Sequence, residues 1–254
     1  MGIKNIGFND SPHADAVAKL SLPLLDLLLC PWIIPNSSWI KYGVQRRNII
    51  KYRALDPVAW LHKRSTPFSS EPNPCNHRDH DDKKTVLIRM EEAQASYIVD
   101  KNFIDSTIDM IDRIIKNLSE VANFCILCRY EDQRKEISAR YLDKANVISN
   151  VIDGATLISQ SDIFIGAGGT MTTEAALLGK PTISIAPVSF YVENYLVSRG
   201  LAEKASSPKA LEKITRKMAT DQQYSQKQLK RATRAIEKME DPIEKLVLLL
   251  TRNA

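Results

Sequence analysis

Gly166, Gly168, Gly169 and Thr170 stand where the short apolar run Asp162 to Ile165 gives way to a helical pattern, with Met171, Ala175 and Leu178 spaced i, i+4, i+7. Gly179 and Pro181 supply the stop signal. A strand, a glycine turn and a helix in that order bring unpaired N–H groups and about half a positive charge to one point. Glycine also lets a ligand approach the backbone closely. The chemistry this suits is the holding of a phosphate or diphosphate. Glu174 falls one position late for a capping box with Thr170, because Thr173 occupies that place. It lies off the Met171/Ala175/Leu178 face, beside the glycine mouth, where a carboxylate could accept from a ribose diol. The same residues also fit a plain glycine-rich turn with a solvated glutamate, a common pattern in α/β proteins. The third glycine of the dinucleotide fingerprint is missing, and no Gly-Lys-Ser/Thr follows, so neither a nicotinamide nor a P-loop ATP site is indicated.

Such a turn needs a sheet to hold it. Thr85 to Met90, Asn123 to Arg129, Asn146 to Ser149, Asp162 to Ile165 and Thr182 to Ala186 read as strands, with a small sixth at Ala202 to Lys204. Helical stretches fall between them at Phe103 to Leu118, Ala155 to Gln160 and Asn194 to Arg199. This alternation predicts an α/β fold, a doubly wound, parallel, Rossmann-like sheet. In the common order 3-2-1-4-5-6, the first and fourth strands flank the ligand crevice. That order sets Arg89 across from the glycine turn, as counter-charge to a diphosphate or as partner to a neighbouring carboxylate. Ser189, Phe190 and Tyr191, after the fifth strand, could line the same crevice.

Ahead of this sheet, Ile3 to Phe8 reads as a strand, His13 to Leu22 as a helix, Leu24 to Cys30 as a short apolar segment and Val44 to Lys51 as a further strand. About 65 residues are few for an independent layered domain. They are expected to be the closing part of a larger N-terminal domain, so the chain divides into 1–65, a linker at 66–84, and a nucleotide-binding domain at 85–254. The linker holds Cys75, His77 and His80, too compressed for a recognised zinc spacing, and a solvated loop is the expectation; no metal is expected. The stretch from Pro208 to Ala254 reads as helical, with Lys227, Lys230, Arg231, Arg234 and Lys238 forming either a solvated basic face or a contact for anionic lipid.

Composition is that of a globular protein, at 44% hydrophobic and 26% charged over 254 residues, with a net charge of +5. The mild positive balance favours anionic ligands without amounting to a nucleic-acid footprint, and no nucleic-acid motif is present. Four cysteines do not make a disulfide framework, so a reducing, cytoplasmic setting is expected, with peripheral membrane contact as an option. Cys125 and Cys128, three apart on a strand, face opposite sides and read as small buried apolar residues. No apolar span reaches membrane-crossing length, and no signal peptide is indicated.

The run Gly168-Gly169-Thr-Met-Thr-Thr-Glu174-Ala-Ala-Leu-Leu-Gly-Lys-Pro181 resembles the GT-B superfamily, which includes the non-hydrolysing UDP-N-acetylglucosamine 2-epimerase and the GlcNAc transferase that makes lipid II. Phe8-Asn9-Asp10 through Pro31, Lys41-Tyr-Gly43 and Tyr52-x-x-Leu-Asp-Pro-x-Ala-Trp-Leu61 resemble most of all a largely archaeal family of uncharacterised GT-B-like proteins. The resemblance implies a UDP-sugar substrate, no separate cofactor, Gly168, Gly169 and Thr170 on the diphosphate, Glu174 on the ribose, and the uracil near Asn150 to Ile152. It implies an activity of glycosyltransferase type, independent of metal. Two departures stand beside it. Only the last part of the relatives' N-terminal domain is present, and the epimerases' histidine after the first strand is replaced by Arg89-Met-Glu-Glu92, which weakens epimerisation. His13 is then the candidate catalytic base, or a structural histidine at a helix start. The alternative expectation is a catalytically incomplete nucleotide-binding or scaffold subunit that completes itself as a homo-oligomer or with a separate acceptor-binding chain. The acceptor is unspecified.

Overall fold

The computed structural model describes residues 3–61, 75, 83–90 and 101–251, with side chains of the first long helix described from residue 107. In the N-terminal part, β1 (Ile6–Phe8), α1 (Asp15–Ser21), β2 (Leu27–Pro31), α2 (Ser37–Ile40), β3 (Ile49–Tyr52) and α3 (Val58–Leu61) follow one another. The three strands form one parallel sheet in the order β1-β2-β3, with Ile6 opposite Leu27 and Leu28 opposite Ile49. The apolar run after Pro23 is therefore the central strand. Its Leu28, Leu29 and Cys30 are fully buried, as expected of a strand covered on both faces.

The second sheet uses β4 (Lys84–Arg89), α4 (Lys101–Leu118), β5 (Ala122–Leu127), α5 (Glu131–Tyr141), β6 (Asn146–Val147), α6 (Gly154–Gln160), β7 (Ile163–Gly166), α7 (Gly169–Leu177), β8 (Thr182–Ser184), α8 (Tyr191–Ser198) and β9 (Glu203–Lys204). All its pairings are parallel and its order is β6-β5-β4-β7-β8-β9, the doubly wound 3-2-1-4-5-6 arrangement predicted from the alternating pattern. Register sets Arg89 of β4 directly beside Gly166 of β7. The crevice at the carboxyl ends of β4 and β7 follows from this order.

One face of this sheet is covered by α4 and by α9 (Pro208–Thr220), with Ile111, Ile114, Leu118, Leu211 and Met218 in its core. The basic C-terminal stretch continues through α10 (Tyr224–Ile236) and α11 (Pro242–Thr251). Its chain returns to the N-terminal part, where α11 packs on α3 and the Glu240 N–H donates to the Arg53 carbonyl. Leu29, Tyr52, Leu55 and Val58 share a single core with Leu177, Leu196, Leu201 and Ala232. The two sheets are thus joined by common apolar packing. Among the described residues, no helix is long and apolar enough to cross a membrane.

The cysteines depart from the sequence expectation. Cys125 is joined by a disulfide to Cys75, 50 residues away, and both are buried against Leu87, Leu157 and Phe164. The strand geometry correctly separated Cys125 from Cys128, but the true partner lay in a stretch with no periodic signal. His77 and His80 lie outside the described residues, and among the described residues no group of three or more His, Cys, Asp or Glu is placed to hold a metal. Closing a loop of this length restricts the unfolded chain, so Cys75→Ser is expected to lower unfolding free energy by about 2–4 kcal/mol under oxidising conditions. Denaturant titration checks this, and a thiol reductant should erase the difference from wild type.

Candidate functional site

The glycine turn opens on a cavity of about 360 Å³. Gly168, at φ 91° and ψ −166°, is the N-cap of α7, and no side chain caps that helix end. Gly169 follows at φ 77°. Both conformations suit glycine and penalise side chains. Thr172 and Thr173 donate their hydroxyls backward to the carbonyls of Gly168 (3.0 Å) and Gly169 (3.2 Å), which holds the turn against the helix. The first-turn N–H groups have no acceptor within the helix and face the cavity with the positive end of its dipole. Gly166 is needed for packing, since a Cβ there would stand 2.7 Å from the Thr172 hydroxyl and from the Phe164 ring.

Two guanidinium groups line the same cavity. Arg89 leaves the end of β4 and donates to the Leu127 carbonyl at 3.2 Å, which fixes it beside the turn. Arg129 stands beyond the end of β5, where its N–H donates to Gln133 Oε1 at 2.9 Å. Sequence reasoning singled out Arg89 and passed over Arg129, although the strand order brings both strand ends to one crevice.

The opposite wall comes from the N-terminal sheet. After β1, the Ser11 N–H donates to Asn9 Oδ1 and the Ser11 hydroxyl to Asp10 Oδ1, a local turn that leaves Asp10, Ser11 and His13 lining the cavity. The His13 ring lies 4.1 Å from that of Phe190, and Phe190 in turn abuts Gly168. Partial burial favours the neutral ring and holds the His13 imidazole below its ordinary value, opposed by the charge of Asp10. Behind them, burial and then the Asp10 charge push the Asp56 carboxyl well above the carboxylate range. Of the residues expected after the fifth strand, Phe190 reaches the cavity, whereas Tyr191 Oη accepts from Ser38 at 3.1 Å.

Glu193 is another residue that sequence reasoning missed. It sits in the first turn of α8, is 5% exposed, and lines the cavity. Its Oε1 accepts from the Ser184 hydroxyl and from Lys204 Nζ at 2.6 Å. Its Oε2 is buried and, among the described residues, has no hydrogen-bond partner. A buried acceptor left unmet is costly and calls for a donor. The available signal was a glutamate in the loop region after the fifth strand, next to a lysine on the sixth.

Glu174 is not beside the glycine mouth. It is 9% exposed, set back from the cavity, and its Oε1 accepts from Trp60 Nε1 at 2.8 Å, linking α7 to α3. The helix phase that took it off the Met171/Ala175/Leu178 face turned it toward the N-terminal part rather than toward solvent. The loop Asn150 to Ile152 does not line the cavity, and Val151 is wholly exposed.

Two sheets of parallel α/β type, a crevice between them and a glycine-rich helix start on its floor define a GT-B type, Rossmann-like fold. Solved structures bear out the class. The UDP-GlcNAc 2-epimerase of Methanocaldococcus jannaschii, solved with UDP-GlcNAc and UDP, matches at a TM-score of 0.64 and 14% identity, over 91% of this chain and 62% of that one. The glycosyltransferase SnogD of Streptomyces nogalater matches at 0.53 and 12%, over 95% and 78%. Within that class, the chain belongs to the family described as "Protein of unknown function (DUF354)", whose pattern matches residues 1–251. An uncharacterized protein of Methanocaldococcus jannaschii, MJ0665, is 28% identical over 193 residues, covering 75% of this chain and 54% of its own length. The chain therefore spans about half the length of that relative.

Proposed function

We propose that the cleft binds a UDP-sugar and that the protein acts as a glycosyltransferase of GT-B type. One observation carries the reading: a single cavity is lined by the N–H groups of the glycine turn and two arginines on one side and, on another, by Glu193, whose buried Oε2 has no hydrogen-bond partner among the described residues. The first set suits a diphosphate. The second suits the hydroxyls of a sugar, which carry donors where a phosphate has none.

In this reading the acceptor hydroxyl gives its proton to His13, or to Asp10, as its oxygen bonds to the anomeric carbon. The bond from that carbon to the diphosphate oxygen breaks, and the diphosphate leaves with the electron pair. Arg89, Arg129 and the amides of Gly169 and Thr170 stabilise the charge that develops on it, a contribution that needs no reorganisation during the step. Glu174 is kept as the ribose candidate on the resemblance alone, although its Oε1 already accepts from Trp60.

Calorimetric titration with UDP, UMP and ADP tests the reading. UDP is expected to bind about tenfold tighter than UMP, because the turn and the arginines meet the second phosphate. Arg89→Ala should remove most of that gap, whereas Glu174→Ala should weaken UDP and UMP alike, since both carry ribose. Absence of UDP binding to folded wild type would overturn the proposal. Equal affinity for ADP would remove the uridine from it.

A further inference from the structure

A second cavity, of about 320 Å³, lies outside the cleft, where α8, α10 and the N-terminal sheet meet. Arg53, Arg199, Arg231, Arg234 and Lys238 line it, together with Trp32. These cations come from three separated stretches of chain, the end of β3, the end of α8, and α10 with the residues just after it. A basic face that serves only solubility projects its charges outward from one element. Here they converge on a concavity.

None of the five is ion-paired to a carboxylate among the described residues. Neighbouring lysines are: Lys227 pairs with Asp221 and Lys245 with Glu240. Glu240, two residues after Lys238, is held by the Arg53 N–H at 2.6 Å as well as by Lys245, and the exposed Glu237, next to Lys238 in the chain, is ion-paired to none of the five. Arg231 donates to the Gly200 carbonyl at 3.3 Å, which aims it without neutralising it. Arg199 lies over the Tyr195 ring at 5.6 Å, and clustered like charges repel with no carboxylate among the described residues to neutralise them. The remaining wall is apolar. Trp32 meets Tyr195 edge-on at 5.1 Å between ring centres, and Leu201, Ala235 and Met239 close the floor.

We infer that this cavity is a second anion site, for a small organic molecule carrying two or more phosphate groups and an apolar or aromatic portion that rests on Trp32 and Tyr195. Guanidinium forks recognise phosphate oxygens in pairs, and the volume fits a small molecule. Because Trp32 and Arg53 belong to the N-terminal part and Arg231, Arg234 and Lys238 to the C-terminal part, the occupant bridges the two. The inference does not depend on what the cleft binds.

Inorganic triphosphate is the probe. It is expected to bind and to change the emission of Trp32, and Trp32→Phe should remove the optical change while calorimetry still detects binding. Arg234→Glu with Lys238→Glu should weaken binding about tenfold or more, with Arg53→Gln as an independent milder variant from another element. A cleft variant, Arg89→Ala with Arg129→Ala, should leave the Trp32 response intact. The inference is overturned if the response survives the charge reversals in folded protein, if sulfate at equal ionic strength reproduces it, or if triphosphate does not bind. It is also overturned if an RNA oligomer or anionic vesicles bind there and triphosphate fails to compete.

Discussion

Valine in place of Gly168 is expected to abolish UDP binding while leaving the sheet folded. Gly168 holds φ at 91° with ψ near the extended limit, a region essentially reserved for glycine. Forcing a side chain there costs about 1–3 kcal/mol in backbone strain alone. A Cβ would also stand 3.2 Å from the Phe190 ring and 3.4 Å from the Ala186 Cβ, before any branch is added. Phe190 cannot yield freely, because His13 packs on its ring. The change thus closes the N-terminus of α7 and displaces the residue proposed as base. Gly169→Ala separates these effects. Its φ of 77° imposes strain, but no atom lies within 4 Å of its would-be Cβ, so a loss of about tenfold is expected from the backbone term only. Titration calorimetry with UDP, beside thermal melts of each variant, gives both numbers. Wild-type affinity in a folded Gly168→Val protein would show that the turn is structural.

The sheet order was legible in the sequence because the strands of the second sheet are short, apolar and separated by helical stretches, and because the glycine turn marks one strand end without ambiguity. α5 escaped notice for the complementary reason. It is a charged helix whose buried side is only Ile137 and Tyr141, so it carries no apolar period. β2 was hidden by Pro23 and Pro31, which bracket a central strand as they would a loop. At the site, single residues at strand ends were readable, as Arg89 shows, because register is set by the fold class. What depended on packing between distant elements was not. The Trp60 partner of Glu174 lies 114 residues away, and the Cys75 partner of Cys125 lies 50 away. No local pattern encodes either.

Glu193→Gln is expected to separate recognition of the sugar from recognition of the diphosphate. Glutamine keeps the shape and an acceptor oxygen for Ser184 and Lys204, so the pairing on the Oε1 side persists, weakened from charged to neutral. On the other side, an amide nitrogen replaces Oε2, the buried oxygen that lacks a partner among the described residues. A donor then faces the ligand hydroxyl in place of an acceptor, and a polar group without its complement is what a buried site tolerates least. UDP-sugar affinity should fall about 10–100-fold, and UDP affinity should hardly move, because the diphosphate relies on the turn and the arginines. Glu193→Ala is the wrong probe. It leaves Lys204, whose side chain is 30% exposed, facing Ser184 without its carboxylate, so a stability loss would be mixed with the binding loss. Equal losses for UDP and UDP-sugar in the glutamine variant would place Glu193 in the scaffold of the β8–α8 region. Loss confined to the UDP-sugar would mark its carboxylate as the group that selects the sugar.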